Sequence, residues 1–319
     1  CMRIFGLLSL FIVFSGCLMA QEQQNEFMID SNTVKCHSSD GRLHGEYNAY
    51  YENGQKRVSG LFAYGQRTGE WKVWDENGNL AESRKYTNNL MYQPSGESGR
   101  NPAMKYKRNA DGVYPYRSVS ESDVLFYKPV VSVILPDDNP YLFNGEPFLR
   151  LMKSNCEAQD FDIVNVYDKF QKVSSDISFE NKKIIGFKLM QEFVYDSSRH
   201  MMEPRILYIA PVLLDVITEK LHHDLWYDFQ AIYPAMADIS VEVPGFSPEI
   251  TNLADLFYWQ AYTYRFIGIG DQDQWSGLLS DIPENAFADK STMNALVKNS
   301  LKKRVRILEA EHDLWKSAQ

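Results

Sequence analysis

At 319 residues, 44% hydrophobic and 13% aromatic, the chain is long enough for more than one ordered unit and can bury a sizeable core. Its formal net charge of −9 excludes a nonspecific nucleic-acid binder, whose affinity comes from clustered Lys and Arg meeting phosphates. Only four cysteines in a chain of this size exclude a disulfide scaffold.

Residues 2–20, MRIFGLLSLFIVFSGCLMA, carry one early Arg3 and then an apolar run from Ile4 to Phe14. A bilayer span needs about 20 apolar residues, so this run suits a secretory signal sequence and implies an envelope or periplasmic destination. Phe14-Ser15-Gly16-Cys17 fits a lipobox that would leave Cys17 acylated, and cleavage after Ala20 is the competing route. Beyond the signal only Cys36 and Cys156 remain, with pairing and free thiols both open. Residues 21–40 are polar and unpatterned and are expected as a flexible leader.

An internal repeat occupies residues 41–91. Gly45-Glu46-Tyr47, Tyr50 and Glu52-Asn53-Gly54 return at one constant displacement as Gly69-Glu70-Trp71, Trp74 and Glu76-Asn77-Gly78. Each copy reads as strand, Asn-Gly turn, strand, with a type I′ turn expected at Asn-Gly. The unit resembles the MORN repeat in the variant of YwqK-type proteins. That resemblance implies an antiparallel β-meander serving as a docking or spacing surface, in which Gly45, Tyr47, Tyr50, Gly54, Gly69, Trp71, Trp74 and Gly78 are the repeat positions. Recurrence of the aromatics in register with the strands is what a packed face requires, and a glycan or lipid-headgroup surface is the alternative.

Residues 92–113 hold Pro94, Ser95, Gly96, Gly99 and Pro102 and predict a linker, with Lys105 to Arg108 as a solvated basic run. Residues 114–319 form the second unit. Its centre is Ile184 to Val212, where Ile185, Phe187, Leu189, Phe193 and Tyr195 alternate with Lys188, Glu192 and Asp196. A period of two predicts a half-buried strand. After Asp196 to His200 the chain returns through Arg205 to Ala210, closing at Pro211, as an antiparallel hairpin.

Glu121-Ser-Asp-Val124, Asn139-Pro-Tyr-Leu-Phe143, the hairpin, Trp226 to Asp238 and Asp281 to Trp315 occur in the order in which similar segments occur in the GldN/PorN family of gliding-motility and type IX secretion proteins. Residues 114–319 resemble that family. Trp226 to Asp238 resembles one of its strands, and Asp281 to Trp315 its closing helix.

Val297, Leu301, Val305, Leu308, His312 and Trp315 advance in steps of three and four, one stripe of a helix over 291–316 with Ser291 as N-cap. The opposite face carries Lys298, Lys302, Lys303, Arg306 and Glu309. Leu253 to Ile269 is the most aromatic segment, suited to a core or a subunit interface, with a ligand cradle as the alternative. Phe257, Tyr258, Trp259, Tyr262, Lys302, Arg306 and Trp315 are therefore the candidate interaction surface.

The sharpest chemical constellation is a pair of Glu-x-x-His steps, Glu219–His222 and Glu309–His312, which on helices would set carboxylate and imidazole on one face. His222-His223-Asp224 lacks the spacing of a zinc helix, and Asp271-Gln-Asp273 lacks the glycine and ligand positions of a calcium loop. No phosphate loop or nucleophile elbow occurs, and Gly268-Ile-Gly270 reads as a turn.

The expected fold class is α+β: an N-terminal meander of MORN-like hairpins, then a mixed domain with a central antiparallel hairpin and a covering C-terminal helix. The expected protein is non-enzymatic and needs no cofactor or metal. What the family resemblance implies is a periplasmic component of the type IX secretion and gliding machinery, assembling in an oligomer with an outer-membrane lipoprotein of the GldK/PorK kind. The alternative is an envelope module whose meander binds a glycan, a lipid headgroup or a protein.

Overall fold

The computed structural model describes residues 22–39, 41–90, 92–94, 106–158, 163–165, 171–173, 178–222, 225–243, 245–246, 249–271, 275–280, 282–283 and 285–316. The expected signal sequence with Cys17, the middle of the linker, His223-Asp224, Gln272-Asp273, Asp281 and the Cys156 side chain lie outside the described residues.

The first unit is a seven-stranded antiparallel meander in chain order: β1 (Glu22–Ile29), β2 (Asn32–Ser39), β3 (Arg42–Tyr50), β4 (Lys56–Ala63), β5 (Gln66–Trp74), β6 (Leu80–Tyr86) and β7 (Tyr92–Pro94). Glu22 to Ser39, expected as a flexible leader, is instead a hairpin that extends the sheet. Its alternation is short and polar because β1 is an edge, but Val34 and Cys36 of β2 still point into the core. Tyr92–Pro94 likewise pairs with β6 rather than opening a linker.

Turn chemistry differs from expectation in an informative way. At Asn53-Gly54 only Gly54 has positive φ, 82°, and its N–H donates to Tyr51 O at 2.9 Å. The second copy matches, with Gly78 at 84° donating to Asp75 O at 3.0 Å. This is a type I turn followed by a left-handed glycine, a three-residue loop that also suits strand twist. The paired positive φ values of a type I′ turn occur at Asp30-Ser31 (46° and 70°) and at Tyr64-Gly65 (48° and 83°).

The second unit continues with β8 (Val124–Ile134), α1 (Pro140–Phe143), α2 (Pro147–Ala158), β9 (Ile163–Asn165), β10 (Gln171–Val173), β11 (Lys182–Asp196), β12 (Met201–Asp215), β13 (Leu221–His222), β14 (Trp226–Asp228), α3 (Phe229–Ile232), α4 (Leu253–Tyr258), β15 (Arg265–Ile269), α5 (Trp275–Ser280), α6 (Lys290–Val297) and α7 (Ser300–Lys316). Its strands run β10-β9-β14-β12-β11-β8-β15, with β13 pairing to the end of β12. Every pair is antiparallel, and the predicted hairpin is the centre of the sheet.

That hairpin is not half-buried. Helices cover both faces: α5 and α6 pack over Val131, Val133, Met190 and Trp226, while α1 to α4 and α7 cover the other side. Lys188 is consequently buried, with its Nζ 5.1 Å from the centre of the Trp226 ring, whereas Asp196 is buried at the hairpin tip, where it accepts from Ser198 and pairs with Arg199. A bulge between Ile184 and Gly186 shifts the parity, so Ile184 rather than Ile185 enters the core. β12 runs past Pro211 to Asp215. On the β13–β14 side Pro211 falls between the pairing of Ile209 with Tyr227 and that of Leu213 with His222, and on the other side it stands opposite Phe187 of β11.

Three further expectations change. Trp226 to Asp238 is a strand only through Asp228; Asp228 then caps α3, accepting from Gln230 and Ala231 N–H. The closing helix is two helices, broken at Lys298-Asn299, and α6 is capped by Asp289 rather than Ser291. The break divides the stripe: Leu296 and Val297 join the core beneath α6, while Val305, Leu308 and Trp315 join the core on the other side of the sheet. Residues 106–113 are no free connector, since Tyr106 packs edge-on to Trp259 at 4.7 Å and Arg108 reaches the buried Asp255 at 2.7 Å.

Candidate functional site

α7 lies between the two sheets, and everything unusual about this interior collects along it. The core-facing side of the meander presents Tyr47, Trp71 and Tyr86, as its alternation demands, but also Arg57, Arg67 and Arg84, all buried. Opposite them α7 presents Glu309, Glu311, His312 and Trp315, also buried. Charges removed from water must be paired; here they are, although the Nε atoms of Arg57 and Arg67 have no hydrogen-bond partner among the described residues.

Arg57 pairs with the Glu309 carboxylate, and its Nη2 lies 2.6 Å from Asp313 Oδ1. The Tyr47 hydroxyl donates to Glu309 Oε1 at 2.6 Å. Arg67 Nη2 lies 2.6 Å from Glu311 Oε2. His312 Nδ1 is 3.0 Å from Glu309 Oε1, and its Nε2 is 3.4 Å from Arg67 Nη2. Arg84 covers the Trp315 ring, with its Cζ 3.9 Å from the centroid, and donates to His200 O at the tip of the central hairpin at 2.7 Å. Cation and ring in this geometry attract, more strongly when water is excluded. Arg304 Nη2 to Gly65 O (2.8 Å) and Gln66 Nε2 to Gln260 O (2.9 Å) continue the seam toward α4.

The electrostatics follow from this packing. Burial pushes the Glu309 carboxyl up, but the hydrogen bond from His312, the Arg57 charge and the Tyr47 hydroxyl outweigh it, leaving the group below its ordinary value. Burial pushes His312 below the ordinary imidazole range. Burial and the neighbouring Glu309 charge raise Tyr47 well above the phenol range and Cys36 to about 12, so both stay protonated. Cys36 is a free, buried thiol and is not paired with Cys156.

The two Glu-x-x-His steps are not brought together. Glu219 sits in the exposed turn after β12, with φ 56°, and His222 lies on β13, so that step is a hairpin end and not a helix face. Among the described residues, no three His, Cys, Asp or Glu side chains gather as a metal-ligand set. Asp271 pairs with Lys128.

Of the candidate interaction surface, Phe257, Tyr258, Trp259 and Tyr262 are core residues, packed against Phe229, Tyr106, Tyr114, Tyr116 and Tyr264. Trp315 is also fully enclosed. Lys302 and Arg306 remain exposed on the outer side of α7, whereas Glu309, expected on that side, turns inward to Arg57. Among the repeat positions, Tyr47 and Trp71 face α7, and Tyr50 and Trp74 are half-buried on the other face. Gly45 and Gly69 take φ of 86° and 66° within their strands, which explains glycine at that point of both copies. Arg57, Arg67 and Arg84 were missed as site residues. A basic residue at an inward strand position was the available signal.

Fold and seam define a two-sheet α+β protein whose buried charges are spent on joining its own halves. A family model described as "Gliding motility associated protein GldN" matches residues 45–316, nearly the whole described chain. The chain belongs to the GldN family of gliding motility associated proteins. The match begins within β3 and so takes in the meander from the first repeat onward, not only the stretch from Tyr114. No curated protein matches the chain.

Proposed function

We propose that this protein is a non-enzymatic structural component of the type IX secretion and gliding machinery, held in the periplasm and assembling with an outer-membrane lipoprotein of the GldK/PorK kind. The observation that carries this reading is the seam. Glu309, Glu311 and His312, the groups with most potential for chemistry, are each enclosed and engaged with Arg57, Arg67 or Tyr47, which suits load-bearing between two sheets better than turnover. No helix among the described residues is long and apolar enough to cross a membrane. Lys302 and Arg306 form the outward grip on α7, and MORN kinship of the repeats belongs to this proposal. Binding through the meander's own aromatics is left with Tyr50 and Trp74, since Tyr47 and Trp71 face the helix.

Light scattering after size-exclusion chromatography, with and without the lipoprotein at micromolar concentration, tests the reading. A defined hetero-oligomer is the expected result. A protein that stays monomeric and elutes apart from the lipoprotein overturns it.

A further inference from the structure

Between the β4–β5 turn of the meander and the loop after α4 lies a cleft of about 390 Å³, within the size range of small-ligand sites. It opens at the α4 end of the seam, with which it shares Gln66 and Gln260, and lies apart from the outer side of α7. Tyr64, Tyr141 and Phe246 supply aromatic surface to its wall, and Thr68, Asn88 and Gln260 supply hydroxyl and amide groups. Tyr64 is the outlier. It is 65% exposed, and it occupies a left-handed backbone position, φ 48°, in a type I′ turn where Asn, Asp or Gly sit without strain. Its ring is steadied by His44 at 4.7 Å between ring centroids and by the Arg42 guanidinium at 5.5 Å. Gln260, across the cleft, is held at φ 52° in the same unfavourable region.

We infer that this cleft is a binding site for a neutral sugar, with Tyr64 as the platform for one ring. Composition narrows the class. Among the described lining residues there is no carboxylate, so a cation would find no counter-charge, and the Arg42 guanidinium is already engaged with the Tyr64 ring and Thr263, which leaves little for an anion. A wholly apolar ligand would strip water from the wall's hydroxyls and amides without replacing it. A peptide adding as a strand needs a free sheet edge, and β4 and β5 are each paired on both sides. A sugar has apolar C–H faces for the aromatic ring and a rim of hydroxyls for Thr68 and for Gln260, whose Nε2 has no hydrogen-bond partner among the described residues. The inference is independent of assembly with a lipoprotein, so either can fail alone.

Isothermal titration of the full chain with maltotriose, cellotriose and triacetylchitotriose tests it. At least one trisaccharide is expected to give saturable heat. Tyr64→Asn removes the platform while relieving the left-handed strain, so it should weaken binding about tenfold, a stacked aromatic contact's worth, with no fall in melting midpoint. Thr68→Val should weaken binding in a fold of unchanged stability. No heat from any of the three at millimolar concentration overturns the inference. So does unchanged affinity in both variants, or saturable binding of a blocked tetra-alanine peptide where the sugars give none.

Discussion

His312 Nε2 and Arg67 Nη2 face each other at 3.4 Å inside the protein. A guanidinium can only donate, so the imidazole nitrogen opposite it must keep its lone pair. The other nitrogen, Nδ1, then carries the proton and donates it to Glu309 at 3.0 Å. The geometry thus assigns a neutral His312 with one tautomer, held between an arginine of the meander and a glutamate of its own helix.

Acid should loosen the seam. The folded pKa of His312 lies below the 6.5 of a free imidazole, so the unfolded chain takes up this proton first as pH falls. Its stabilising contribution is whole above that value and is lost as pH drops through the folded pKa. Glu309, also lowered, adds a loss in the same direction further into acid. Urea unfolding from pH 8 to pH 5 should show stability falling below about pH 6.5, by at most about 1.4 kcal/mol per pH unit for one proton. His312→Gln should flatten that part of the curve, and an unaltered profile in this variant would exclude His312 as its source.

Glu309→Ala takes from buried Arg57 one of its two carboxylate partners, leaving Asp313, and from the buried Tyr47 hydroxyl its acceptor. Removing one partner of a buried pair costs about 3–5 kcal/mol. The double change Arg57→Met with Glu309→Leu should recover much of it, because the desolvation of both charges disappears together. Chemical denaturation of Arg57→Met, Glu309→Leu and the double forms the cycle. Additive losses in the double would mean that the two groups are not coupled.

Gly60 of β4 lies flat against Trp71. A Cβ there would come within 2.1 Å of the indole ring, which is fixed by its own hydrogen bond to Leu61 O at 3.2 Å. Gly60→Ala should destabilise by about 1–3 kcal/mol, the usual cost of overpacking, and lower the melting midpoint. Gly54→Ala meets no neighbouring atom but is forced into a φ of 82°, so its smaller loss would come from backbone strain alone.

Charge reversal at Lys302 and Arg306 separates folding from assembly. Both side chains are exposed, so Lys302→Glu with Arg306→Glu should leave stability within about 0.5 kcal/mol. Co-purification with the lipoprotein should fall away. Retention of the complex at physiological salt would move the grip elsewhere on the surface.

Local chemistry made much of the chain legible in advance. The repeat with its glycines, the antiparallel hairpin at 184–212 and the apolar face of α7 were written in spacing that only one kind of element satisfies, because side-chain direction follows backbone period. Parity could not register a bulge, so Ile185 stood where Ile184 belongs. Nor could it tell a sheet covered on one face from one covered on both, which is why Lys188 looked exposed. The polar strand pair at 22–39 carried too little alternation to announce itself.

What the sequence determined by itself is the repeat hairpins, the central hairpin, the apolar stripe of α7 and the family resemblance, since the elements among these rest on contacts between near neighbours in the chain. What only the tertiary structure decided is the role of the charged and aromatic residues. Arg57 meets Glu309, Arg67 meets Glu311 and Arg84 meets Trp315 across most of the chain's length. Whether a charge is a solvated surface group or a buried tie depends on a partner that no local pattern contains.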